Sequence, residues 1–277
     1  MPITRKIRFD CNSPLERVQE RLSHLFNSPL QRGTSLDGST VYYFKSMGIE
    51  GSVYKWDFFD PDWDPRLSRN DAVISINIYA SMTGNLYDNA DVVFEYAIIL
   101  ALMTAACMDC PVYVCSEDNE VMEEVLPTNL VICKCHHDTQ RLVRGDVMSK
   151  VVRIRFGFAG TLEQAQEMLA QLFHVKTKKA VSSVYDEYFI FSSMGVQATL
   201  SKIFYYDPEL DPMLGGKDLV LDISLCVPMS RCTHSEDDVI LKLSSILAGM
   251  VAANFDCPAY ICSEDNKVIE EVLPANR

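Results

Sequence analysis

The chain has 277 residues, 48% of them apolar and 23% charged, with a formal net charge of −13. Those totals exclude a disordered or fibrous chain and leave room for two domains, each with its own core. The acidic balance argues against nucleic acid or an anionic membrane as partner, because phosphate contacts need clustered Lys and Arg. It suits a basic protein, which an acidic surface would steer in, and it also serves solubility.

The chain repeats itself. Residues 109–129, DCPVYVCSEDNEVMEEVLPTN, return at 256–276 as DCPAYICSEDNKVIEEVLPAN, with five changes in 21 positions. The shift of 147 residues holds without a gap, and about 50 of 130 aligned positions are identical. A long fixed period of this kind means one domain written twice. The expected boundaries are 1–129 for the first copy, 130–147 for a linker or extra hairpin, and 148–277 for the second. A duplicated domain is expected to pack as a pseudo-dimer about a twofold axis.

Each copy opens on an alternating strand, Lys6-Ile7-Arg8-Phe9 and Arg153-Ile154-Arg155-Phe156. Leu15, Val18, Leu22, Leu25 and Phe26 then fall on one helical face, entered through Ser13-Pro14; Leu162, Ala165, Leu169, Leu172 and Phe173 repeat it, with Thr161 as cap. Residues 27–40 read as a variable surface loop. Residues 41–59 read as two strands either side of Met47-Gly48, and residues 71–79 as a half-buried strand. Residues 88–108 form a long apolar helix with capping-box spacing at Asp88 and Asp91, echoed at Ser235 and Asp238. The twin helix carries Lys242, Ser244, Ser245 and Asn254, so both read as buried core helices and not membrane spans. The repeated stretch gives a strand, a polar turn at Ser116-Glu117-Asp118-Asn119, and a short helix or strand. The expected fold class is α+β: two tandem copies of one domain, each an antiparallel sheet with two helices on one face in the order β-α-β-β-β-α-β.

The ten cysteines do not form a duplicated disulfide framework, since only Cys110 and Cys115 recur, as Cys257 and Cys262. Five residues apart on a strand, they point to opposite faces. The start, MPITRKIRFD, lacks the apolar run of a signal peptide, so the expected location is cytoplasmic with reduced thiols.

No pattern gives a catalytic residue, and no histidine is shared between the copies. Cys133, Cys135, His136 and His137 crowd too closely for a tetrahedral zinc site. Asp60, Asp62, Asp64 and Asp71 have calcium-loop spacing, but Arg66 stands where the loop needs glycine. No metal and no cofactor are therefore expected. The expected partner-binding patch is Trp56, Asp57, Phe59, Asp60, Asp62, Trp63 and Asp64, where aromatics lie beside carboxylates.

The order of elements resembles that of SitI-type immunity proteins of bacterial polymorphic-toxin exchange: strand, helix, hairpin, a strand like DAVISINIY, a long apolar helix and a strand-turn ending. The resemblance implies a cytoplasmic protein that blocks a delivered toxin by binding it, and it carries over no particular residue. The tandem arrangement departs from that family's single domain. The expected function is a non-catalytic protein-binding module for a basic partner; the alternative is a metal-dependent or small-molecule enzyme with a site between the copies.

Overall fold

Ile7 and Phe9 are fully buried while Lys6 and Arg8 alternate with them, and that alternation fixes which side of the first strand the helices cover. A computed structural model describes residues 4–11, 13–56, 64–69, 72–78, 89–127, 151–181, 187–203, 212–225 and 236–274. These residues fall into two compact units, one for each copy.

In the first unit the chain runs β1 (Arg5–Phe9), α1 (Leu15–Phe26), β2 (Gln31–Thr34), β3 (Thr40–Ser46), β4 (Ile49–Lys55), β5 (Ala72–Ile78), α2 (Asn89–Met108), β6 (Val112–Cys115) and β7 (Val121–Val125). The strands make one antiparallel sheet in the order β2-β3-β4-β5-β1-β6-β7. Helix α1 carries the chain from β1 to the far edge, a meander brings it back beside β1, and α2 carries it over to β6. Both copies show the expected α+β architecture.

The second unit repeats the first as β8 (Val152–Phe156), α3 (Leu162–Phe173), β9 (Thr177–Ala180), β10 (Tyr188–Ser193), β11 (Val196–Lys202), β12 (Leu219–Leu225), α4 (Glu236–Phe255), β13 (Ala259–Cys262) and β14 (Val268–Val272). Its sheet runs β14-β13-β8-β12-β11-β10-β9. The register is the same too: Arg5 faces Ile76 as Val152 faces Ile223, and Phe9 faces Val112 as Phe156 faces Ala259.

Helix α2 shows almost no amphipathic period because it is covered nearly all round. Ala97, Ile98, Ile99, Leu100 and Ala101 are all buried, and the helix lies over β1, β5, β6 and β7 with α1 beside it. Its twin α4 buries Ser244 and Ser245, and Ser245 Oγ donates to the Glu270 carboxylate at 3.3 Å. Among the described residues no helix is long and apolar enough to cross a membrane.

The structure departs from the sequence reading in one place. Residues 31–34 are not loop but an edge strand, β2, whose outward residues are exposed and so leave no apolar period to read. Gly33 there lets the Tyr43 ring lie flat on the strand, since a Cβ would sit 2.5 Å from the ring. The stretch ending at Pro127, expected as a short helix or strand, is strand β7. Helix α1 is entered through Ser13-Pro14 as expected, with Pro14 at the N-cap and no side-chain cap bond. The capping residues Asp88 and Ser235 lie outside the described residues, as does the linker 130–147.

The hairpin turn expected at Met47-Gly48 is present, with φ of 50° and 84°. Both central residues are left-handed, as a type I′ turn requires. A methionine pays strain there, which its complete burial offsets; Met194-Gly195 repeats the device.

Thr161 accepts a bond from the Gln164 amide at 3.2 Å and Gln164 Oε1 accepts one from the Thr161 amide at 2.9 Å. Thr161→Ala removes one half of this capping box and is expected to cost about 1 kcal/mol, read from the urea midpoint of unfolding.

Candidate functional site

The side of the first sheet away from the helices carries the two cations of its first strand. On β1 the cations Lys6 and Arg8 share that side, and Arg8 is only 1% exposed. Lys6 Nζ donates to the Glu117 carbonyl at 2.5 Å and to Asn119 Oδ1 at 3.4 Å, while Arg8 Nη1 donates to the same Oδ1 at 3.1 Å. Asn119 is buried and left-handed at φ 64°, a conformation asparagine tolerates better than most residues. Ser116 Oγ accepts the Glu120 amide at 3.1 Å and closes the turn.

The second copy builds the same device with different cations. Arg153 Nη1 donates to the Glu264 carbonyl at 2.5 Å and to Asn266 Oδ1 at 3.3 Å. Arg153 is also paired with Asp222 at 3.0 Å, and buried Arg155 donates to the Lys217 carbonyl at 2.8 and 3.1 Å. The recurrence of Ser-Glu-Asp-Asn is thus explained by the turn and by the cations that hold it.

Below the turn lies a small apolar plug. Leu67, from a 3₁₀ turn at Pro65–Arg69, packs on Tyr113, Cys115 and Val121, and Leu214 packs on Tyr260, Cys262 and Val268 in the same way. Burial pushes the Cys115 thiol up to about 12, against the pull of Arg8 and Lys6. It is therefore protonated at neutral pH. Burial likewise lowers Lys6, with Arg8 beside it as the second cause, and raises Tyr54.

Of the residues expected to bind a partner, Trp56 and Asp64 are described; Asp57, Phe59, Asp60, Asp62 and Trp63 lie outside the described residues. Trp56 is half-buried, with Lys6 Nζ 5.2 Å and the Arg8 guanidinium 5.9 Å from its ring, and the Tyr54 ring 6.0 Å away, tilted by 41°. Asp64 belongs to a neighbouring group. Its carboxylate takes Arg66 Nε at 2.9 Å and Nη2 at 2.5 Å, while Arg66 also reaches Glu124 at 3.2 Å and lies over the Tyr113 ring. The residue that spoils a calcium loop in the sequence thus occupies the Asp64 oxygens itself. Among the described residues no group of His, Cys, Asp and Glu is arranged to hold a metal; the Cys133–His137 cluster lies outside them.

The Lys6–Arg8 pair is the feature that sequence reasoning passed over. Its signal was present, since two cations alternate with apolar residues on the first strand of both copies, in a chain otherwise acidic.

Arg66 is the first cause of the low pKa of Asp64, which falls from an ordinary 3.8 to about 2. A depressed carboxylate pKa adds stability above the unfolded value, and that stability is lost as pH falls through the folded one. Asp64→Asn is expected to remove this part of the pH dependence between about pH 4 and pH 2. Acid-unfolding curves of the two proteins should converge at the bottom of that window, and added salt should shrink the difference because the pair is solvent-exposed.

The fold and this face define a tandem α+β protein in which each sheet carries internally held cations over an apolar plug. Comparison with protein-family models, with curated proteins and with solved structures found no match.

Proposed function

We propose that the chain is a non-catalytic cytoplasmic binding protein for a basic protein partner, and that its particular role is immunity: neutralising a basic toxin by occupying it. The observation that carries this reading is the acid excess of −13 together with where the fold puts its cations. Among the described residues two cations, Arg8 and Arg155, are buried and one carboxylate, Glu95, so the charge that these residues turn to solvent is more acidic than their sum. Such a surface attracts a basic partner and quickens encounter. The protonated Cys115 and the internally paired Asp64 and Arg66 supply no activated acid, base or nucleophile. The proposed face is Trp56, Asp57, Phe59, Asp60, Asp62, Trp63 and Asp64, where aromatic area and negative charge adjoin. The resemblance of the element order to that of SitI-type immunity proteins is in keeping with this reading.

Capture of partners on the intact chain, followed by co-expression with the identified protein, tests it. The reading expects a partner of high isoelectric point whose toxicity to the host is relieved by co-expression. A partner that is acidic, or toxicity that co-expression leaves unchanged, contradicts it.

A further inference from the structure

Strands β1 and β6 pair through Phe9 and Val112, and extending that register by two residues sets Cys11 opposite Cys110. The segments remain adjacent past the ladder, since the Cys110 thiol donates to the Asp10 carbonyl at 3.6 Å. Cys11 is buried, with its thiol on the Ser13 carbonyl at 3.8 Å, and Cys110 is half-buried and close enough to feel Cys11 electrostatically. The last paired residues, Phe9 and Val112, stand directly opposite each other, at about the 4.5–5.5 Å Cα separation of an antiparallel pair, and the two cysteines follow two residues beyond them on each segment. The second copy keeps half of the arrangement: Cys257 donates to the Gly157 carbonyl at 3.2 Å, but the residue facing it is Phe158. Neither Cys11 nor Cys110 is in a disulfide.

We propose that Cys11 and Cys110 are a redox pair that closes to an intramolecular disulfide on meeting a small-molecule disulfide. The Cys110 thiolate attacks one sulfur of the oxidant, forming a mixed disulfide and releasing one thiol. The Cys11 thiolate then displaces the second, so two protein thiols are oxidised while one disulfide is reduced to two thiols. The product ties the exit of β1 to the entry of β6. Burial, with Asp10 and Cys11 as further causes, pushes the Cys110 thiol up to about 11; Asp109 is the other ionisable group facing it. Closure is therefore slow at neutral pH and faster in alkali, and the pair stays reduced until oxidant is abundant.

The test treats the intact reduced protein with oxidised glutathione, blocks remaining thiols by alkylation, and maps the peptides by mass spectrometry. A peptide pair joining Cys11 to Cys110, two hydrogens lighter than its parts and separated by reductant, is the expected result. Cys257 should appear only alkylated or carrying glutathione. In Cys11→Ser the mixed disulfide at Cys110 should persist unresolved. Wild-type Cys110 recovered alkylated or glutathionylated to the same extent as Cys257, or bonded instead to Cys107, would overturn the proposal.

Discussion

Arg8→Met is expected to destabilise the first copy by about 2–4 kcal/mol, although it removes a charge from the interior. Replacing a buried ionic group by an apolar one of similar volume is often neutral when its partners go with it. Here the partner stays. Asn119 Oδ1 loses the Arg8 donor at 3.1 Å and keeps only the long Lys6 contact at 3.4 Å, and a buried acceptor left short of donors costs about 1–3 kcal/mol. The guanidinium near Trp56 adds up to roughly 2 kcal/mol when desolvated. Both tryptophans lie in the first copy, at Trp56 and Trp63, so tryptophan fluorescence during urea unfolding reports that copy selectively. A midpoint unchanged from wild type would show that the guanidinium contributes nothing net.

Phe9→Ala is expected to cost more, about 3–5 kcal/mol, by the same readout. The ring is fully buried at the middle of the sheet, between Ala72 and Val112, where α2 covers it. Truncation forfeits the transfer free energy of the ring and leaves a cavity that a strand hydrogen-bonded on both sides cannot close. Its twin Phe156 lies 4.9 Å from Phe255, and Phe156→Ala should weaken the second copy to a similar degree. Phe9→Leu, which keeps most of the volume, should cost less than half as much.

What could be read from the residues in advance follows a physical division. The duplication, β1, the α1 face of Leu15, Val18, Leu22 and Phe26, and the buried character of α2 were all legible. Each is a local pattern whose period or composition states its environment. Strand β2 was not, because an edge strand is fixed by its partner β3 and need bury nothing itself. The cation-held turn was hidden for a related reason. Lys6 and Glu117 are 111 residues apart, and only the pairing of β1 with β6 brings them together. The proposed partner face was legible as composition alone. Trp56 and Asp64 turn out to face Lys6, Arg8 and Arg66 of their own chain, a self-complementarity that the spacing of the letters does not reveal.

Internal pairing sharpens what a partner must do. A basic protein approaching Asp64 competes with Arg66 for the carboxylate, so its cations must displace or add to an existing pair. The most direct measurement is calorimetric titration of the intact chain with its captured basic partner at 50 and 500 mM salt. Recognition by an acidic face predicts that affinity falls tenfold or more across that range, mostly through slower association. An affinity that holds constant with salt, or consumption of the partner in place of stoichiometric binding, would contradict the account.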